Sequence, residues 1–193
     1  LRRAVVEASL ELRTATFEGV IATKAGKRTQ QMQLWGAFDR TDPGHVLMEV
    51  TLQDEGGEPF TYIRDGATHW LQAGEGEFAP ATAEDLAREG VLLPELDVAA
   101  ELNKVFALPG RWTYEGTAYE AGEPFEHYRL AISAAALTGT KGAAGKKDVL
   151  VADYYFDKFA HPVFMSSSAP AAGVTIEVTY SPLNQNVNIV IPS

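Results

Sequence analysis

His127, Arg129 and Asp153 are the residues of this chain best suited to acid–base work. An imidazole that titrates near neutrality, a fixed guanidinium and a carboxylate can move a proton and hold an anion, provided that they converge within hydrogen-bond reach in a pocket. His127 and Arg129 alternate along one predicted strand and Asp153 lies in another, so the sequence leaves their convergence open. The other candidates are weaker. His45, His69, His127 and His161 are scattered, with none at the short offsets of zinc motifs, so no metal site is expected. Ser166–Ser168, followed by Ala-Pro, resembles a strand end and lacks the Gly-x-Ser-x-Gly elbow of a nucleophile. The run GTKGAAGKK fails as a phosphate cradle, because Thr140 stands where the first glycine belongs and Lys147 where a hydroxyl should follow Lys146. Its lysines, spaced by small residues from Lys141 to Lys147, point to a solvated loop. No catalytic residue, metal or cofactor is expected, and the enzyme reading ranks last.

The bulk properties agree. The 193 residues are 46% hydrophobic and 22% charged, as in a globular domain with a sizeable core. A formal net charge of −10 argues against a nucleic-acid partner, which needs clustered cations to displace counterions. Cysteine is absent, which removes disulfides, thiolate metal sites and thiol nucleophiles from these residues. No apolar run approaches the ~18 residues of a membrane-spanning helix. The chain begins Leu1-Arg2-Arg3, which suggests a trimmed product whose preceding segment carried an export signal or a membrane tether.

The elements that would position any site are mostly strands. Residues 1 to 13 have the spacing of a short amphipathic helix. From Thr14 the period is two: Phe17, Gly19 and Ile21 oppose Glu18, Val20 and Ala22, and after a turn at Ala25-Gly26-Lys27 the set Met32, Leu34, Gly36 and Phe38 opposes Gln31, Gln33, Trp35 and Ala37. Val46, Met48, Val50 and Leu52 then alternate with Leu47, Glu49, Thr51 and Gln53. Phe60–Arg64 and Thr68–Leu71, separated by an Asp65-Gly66 turn signal, complete five strands. Six more are expected at Trp112–Glu120, Phe125–Ser133, Asp148–Asp157, Val163–Ser168, Val174–Ser181 and Val187–Ile191. Hairpin-sized connections imply one antiparallel meander that curls. Gly36 permits sharp curvature or a bulge.

Between the two sets of strands lies PATAEDLAREGVLLPELDVAAELNKVFAL, residues 80 to 108. Thr82 is placed as N-cap of a first helix that Gly90 stops; Pro94 opens a second, which Pro109-Gly110 ends. Val91, Leu92, Leu93, Leu96, Val98, Leu102, Val105 and Phe106 exceed the single apolar stripe that one packing contact requires. Core packing explains any one of them; the set together points to the wall of a hydrophobic container, with Gly90, Pro94 and Pro109-Gly110 as hinges for release.

Residues Asp153-Tyr154-Tyr155-Phe156-Asp157-Lys158-Phe159-Ala160-His161-Pro162-Val163-Phe164-Met165 resemble the aromatic-x-Asp-x-x-x-x-Pro-hydrophobic hairpin of the LolA/LppX/LprG-type lipoprotein superfamily. The order of elements is similar as well: an N-terminal helix, a first strand at Thr16-Phe17-Glu18-Gly19-Val20-Ile21, a helical insert, and a C-terminal strand pair at 175–181 and 186–192. Phe159 and His161 replace the family's usual aliphatic and charged positions. The resemblance implies a protein that binds lipids or lipoprotein acyl chains between sheet and helices and moves them through the periplasm or cell envelope. Related half-barrels also sense envelope stress or dock protein partners, which is the second reading.

The expectation is therefore one α+β domain spanning 1–193, a strongly curved antiparallel half-barrel with helices covering its concave face. It is extracytoplasmic, non-catalytic and loaded with a lipid or acyl chain, the alternative occupant being an envelope protein partner. Strand face and helix stripe nominate Phe17, Leu34, Phe38, Met48, Val50, Trp70, Leu92, Leu96, Leu102, Val105 and Phe106 as the cavity wall. Any register slip of one residue reverses a strand's assignment.

Overall fold

Alternating β-branched and aromatic residues, punctuated by Gly turns, produce eleven strands in a computed structural model. It describes residues 7–8, 11–26, 28–42, 45–82, 84–85, 102, 104, 106–107, 110–120, 122–133 and 148–192. The strands are β1 Thr14–Ala25, β2 Arg28–Asp42, β3 His45–Asp54, β4 Phe60–Asp65, β5 Thr68–Ala73, β6 Ala79–Ala81, β7 Arg111–Glu120, β8 Glu123–Ser133, β9 Asp148–Phe156, β10 Pro162–Ala169 and β11 Val174–Leu183. All pairings are antiparallel, in the spatial order β6-β5-β4-β3-β2-β1-β11-β10-β9-β8-β7.

This order corrects the single meander. Two meanders, β1–β6 and β7–β11, are joined by the pairing of β1 with β11, which leaves β6 and β7 as the two edges of an unclosed sheet. The connection from Ala81 to Arg111 therefore runs from one edge to the other. It also runs from end to end: Ala81 pairs with His69 at the start of β5, whereas Arg111 pairs with Ala131 near the finish of β8.

Two strand assignments change. Ala79–Ala81 forms a short edge strand that its Ala-Pro-Ala sequence does not announce; proline is tolerated there because an edge has unpaired positions. Val187–Ile191 is not in a strand, although it is rich in β-branched residues. β1 and β11 already have partners on both sides, so no open edge lies beside it.

Helical backbone among the described residues occurs at Glu7, Ala8, Glu11, Glu84, Asp85, Leu102, Lys104, Phe106 and Ala107. The expected cap is present: the Asp85 amide donates to Thr82 Oγ1 at 3.1 Å, and Asp85 Oδ2 accepts from the Thr82 amide at 2.9 Å. The hinge positions Gly90, Pro94 and Pro109 and the Lys141–Lys147 loop lie outside the described residues.

Turn chemistry sets the registers. Ala25 pairs with Arg28 around a tight turn in which Gly26 has φ 64°. The β4–β5 hairpin turns at Gly66 and Ala67, with Asp65 paired to Thr68, one residue later than expected. In the β9–β10 turn, Asp157 Oδ1 accepts from the amides of Phe159 at 2.8 Å and His161 at 2.9 Å, while the Asp157 and Ala160 amides close the loop onto His161 and Asp157 carbonyls, both at 2.9 Å. These bonds explain why the aspartate and the following proline sit where they do: one ties the turn, and the other starts a strand without needing a donor.

Candidate functional site

Register divides the sheet into rows of opposed side chains. One row crosses ten strands: Tyr114, Tyr128, Tyr154, Met165, Val178, Gly19, Leu34, Leu52, Phe60 and Ala73. None of these ten is charged, and directly opposed residues point to the same side. This inner face holds the core, where Leu12, Ala15, Phe17, Phe38, Met48, Val50, Tyr62, Leu130, Ile132, Ala152, Phe156 and Tyr180 join the row's buried members.

Seven of the nominated wall residues meet here. Phe17, Leu34, Phe38, Met48 and Val50 come from β1 to β3, and Leu102 and Phe106 from the end of the insert, all in one cluster. Phe106 packs on Trp112 with ring centroids 4.8 Å apart, and Trp112 reaches Tyr154 at 5.5 Å. Part of the insert is thus seated on the inner face.

Trp70 is a correction. It opposes Ile63, which opposes Glu49, and so stands on the outer face; Leu71, opposite Tyr62 and Val50, occupies the inner position. Thr68-His69-Trp70-Leu71 has no apolar alternation of its own, and its facing comes from β4. Leu92, Leu96 and Val105 lie outside the described residues. The same core cluster also contains residues from the C-terminal strands that strand-face reasoning did not single out: Leu130, Ile132, Tyr154, Phe156, Met165, Val178 and Tyr180. Alternation in Tyr128-Arg129-Leu130-Ala131-Ile132 would have revealed part of this set.

Two glycines sit where no side chain would fit. A Cβ on Gly36 would stand 2.0 Å from the Glu49 carbonyl oxygen and 2.8 Å from Phe17 Cζ; one on Gly19 would stand 2.0 Å from the Glu177 carbonyl oxygen. Gly36 and Phe17 are directly paired, so the ring lies across the space that the missing side chain leaves.

The inner rim carries polar groups. Tyr62 Oη and His69 Nδ1 are 2.8 Å apart, with their rings stacked at 5.8 Å. Burial, then the charge of Arg64, holds His69 below its usual range. At the opposite side Tyr114 Oη donates to Glu126 Oε2 at 2.5 Å and Thr117 Oγ1 to Oε1 at 3.1 Å. Tyr128 packs on Tyr114 at 5.0 Å, and burial, then Glu126 and Tyr114, push its phenol upward.

The outer face is different in kind. The adjoining row runs Gln72, Thr61, Thr51, Trp35, Glu18, Thr179, Phe164, Tyr155, His127 and Gly116. Here the three candidate chemical residues do converge. Asp153 Oδ1 lies 2.7 Å from His127 Nε2 and 2.9 Å from Arg129 Nε, and Oδ2 lies 3.3 Å from Arg129 Nη2. Arg129 directly opposes Asp153, and His127 stacks on Tyr155 at 4.3 Å. The hydrogen bond and charge of Asp153 raise the guanidinium further above its usual range. Among the described residues that line three outer grooves, none belongs to the triad, although Tyr155, on which His127 stacks, lines one of them. The carboxylate is paired with its cross-strand arginine and with a histidine, bonds that tie β8 to β9.

No protein-family profile matches the chain, and no curated protein matches it by sequence. Solved structures do. LprF from Mycobacterium bovis superposes with a TM-score of 0.58 at 12% identity, covering 100% of this chain and 96% of LprF. The Mycobacterium tuberculosis lipoprotein LppX superposes with a TM-score of 0.59 at 13% identity, covering 97% of this chain and 95% of LppX. Coverage is almost complete in both directions, so the agreement concerns the whole arrangement and not a shared hairpin. The resemblance carried by the Asp157–Pro162 turn and by the order of elements holds at the level of fold: this chain has the open, antiparallel LppX-type architecture seen in LprF and LppX.

Proposed function

We propose that this chain is a non-catalytic carrier that holds a lipid, or the acyl chains of a lipoprotein, between the inner face of its sheet and the segment 82–110. The observation that carries the reading is the uncharged row spanning ten strands, with Leu102 and Phe106 of the edge-to-edge connection seated in the same cluster. In this reading the connection, which starts at one edge and finishes at the other, serves as a lid over a curved half-barrel, and the whole 193-residue chain acts as one domain. The LppX-type fold and the lipoprotein designation of LppX support a place in the cell envelope, outside the cytoplasm.

Hydrocarbon suits such a wall because its contacts need no direction. Each buried methylene contributes roughly 0.8 kcal/mol, so a dozen supply on the order of 10 kcal/mol before ordering costs. Affinity is spread over many side chains, which is why no compact motif marks the site. Release follows from lid movement, with Gly90, Pro94 and Pro109-Gly110 as hinges.

Native mass spectrometry of the chain purified under mild conditions, followed by lipid extraction and cross-linking with a photoactivatable fatty acid, tests the proposal. Co-purifying acyl species and cross-links to inner-face residues are expected. A lipid-free protein that the probe labels nowhere on the inner face overturns it.

A further inference from the structure

Val187–Ile191 has the composition of a strand, Val-Asn-Ile-Val-Ile, and yet joins no strand pair among the described residues. Among the described residues its backbone N–H and C=O groups make no hydrogen bond. The segment is anchored just before it: the Asn184 amide donates to the Thr14 carbonyl at 2.7 Å, the Arg13 amide to Asn184 Oδ1 at 2.7 Å, and Thr14 Oγ1 to the Gln185 carbonyl at 2.5 Å. From that anchor Asn186–Ile189 bounds a groove of about 610 Å³ over the outer face of β1, β2 and β11. A second groove of about 460 Å³ shares Glu18, Trp35 and Thr179 with it and continues to Phe164.

The chemistry of this trough is one-sided. Glu18 and Glu49 line the first groove, and Glu18 and Glu177 the second; among the described residues no lysine, arginine or histidine lines either. None of the three carboxylates has an ion-pair or hydrogen-bond partner among the described residues. Trp35, 39% exposed, lies between them. Burial already raises the Glu49 carboxyl above its usual range, so a cation brought to it relieves a cost that the protein bears alone.

We infer that Val187–Ile191 is an acceptor strand: an extended, lysine- or arginine-bearing segment of a partner protein pairs with its backbone and lies in the trough. Main-chain hydrogen bonds supply the generic part of the affinity. Every second side chain of the added strand faces the sheet, where a cation meets Glu18, Glu49 or Glu177 or the face of Trp35. The reading does not depend on lipid carriage, which uses the other face, so either can fail without the other.

The test uses the intact chain and a fluorescent eight-residue peptide of alternating lysine and valine. Saturable binding is expected by anisotropy. It weakens about tenfold or more in a Glu18→Gln, Glu49→Gln, Glu177→Gln triple variant, and likewise for a peptide methylated on every backbone nitrogen. Ile189→Pro, which removes one donor outside the sheet, weakens it too, with the thermal transition unchanged. Equal binding of the methylated peptide, or of the unmethylated peptide to the triple variant, overturns the inference, because attraction of a polycation to an acidic protein needs no strand pairing. It is also overturned if the peptide fails to bind while an uncharged tetrasaccharide quenches Trp35, or while the chain self-associates through this segment.

Discussion

Phe17 Cζ stands 2.8 Å from the point where a Cβ on Gly36 would be, so the aromatic ring occupies the side-chain space of its cross-strand partner. Gly36→Ala must displace both this ring and the Glu49 carbonyl. We expect it to cost about 2–4 kcal/mol in urea unfolding. Gly26→Ala, where nothing lies within 4 Å and only the φ of 64° matters, is expected to cost about 1 kcal/mol. Equal losses at the two sites would refute the steric account.

The β9–β10 turn makes a second prediction. Asp157→Ala removes the acceptor shared by the Phe159 and His161 amides and should cost about 1–3 kcal/mol, whereas Asp157→Asn retains an acceptor and should cost less. Hydrogen exchange of those two amides is the direct readout; unchanged protection in Asp157→Ala would contradict it.

Two groups make opposite contributions to the dependence of stability on pH. His69 is held below its ordinary 6.5, so the unfolded chain binds the proton more readily, and stability present above pH 6.5 is lost as the pH falls through the lower folded value. His69→Gln should therefore flatten the loss of unfolding free energy between neutral and mildly acidic pH. Glu49 is raised above its ordinary 4.5, so its contribution is full below that pH and is lost as the pH rises through the folded value. Glu49→Gln should stabilise the protein at neutral pH and lose that advantage in acid. Paired urea titrations of wild type and each variant at several pH values decide both signs.

The Asp153 cluster supports structure on an accessible face, so Asp153→Asn is expected to cost only about 0.2–1 kcal/mol and to leave acyl-probe labelling unaltered. Loss of labelling in that variant, with an unchanged melting transition, would tie this outer cluster to the cargo.

The shared inner face of Phe17, Leu34, Phe38, Met48 and Val50 was legible because β1 to β3 are buried on one side and obey a period of two. Trp70 was misplaced because it and Leu71 are both apolar, and only the opposition of Leu71 to Tyr62 decides which one faces inward. The strand state of Val187–Ile191 depends on whether a neighbour has a free edge, and residue types do not carry that information. Likewise the meeting of His127 and Arg129 with Asp153 follows from the register of β8 on β9, set by contacts far apart in sequence.

The join between β1 and β11 gives assembly a direction in time. A chain emerging N-terminus first can zip β1 to β2 at once, yet the opposite flank of β1, with Phe17 beside Tyr180, stays bare until the final strand arrives. Truncation before Val174 would leave that flank permanently open, a sticky margin that recruits other chains. The two halves become one sheet only when β11 has reached β1, so the seam between them is the one join in the sheet that no hairpin makes.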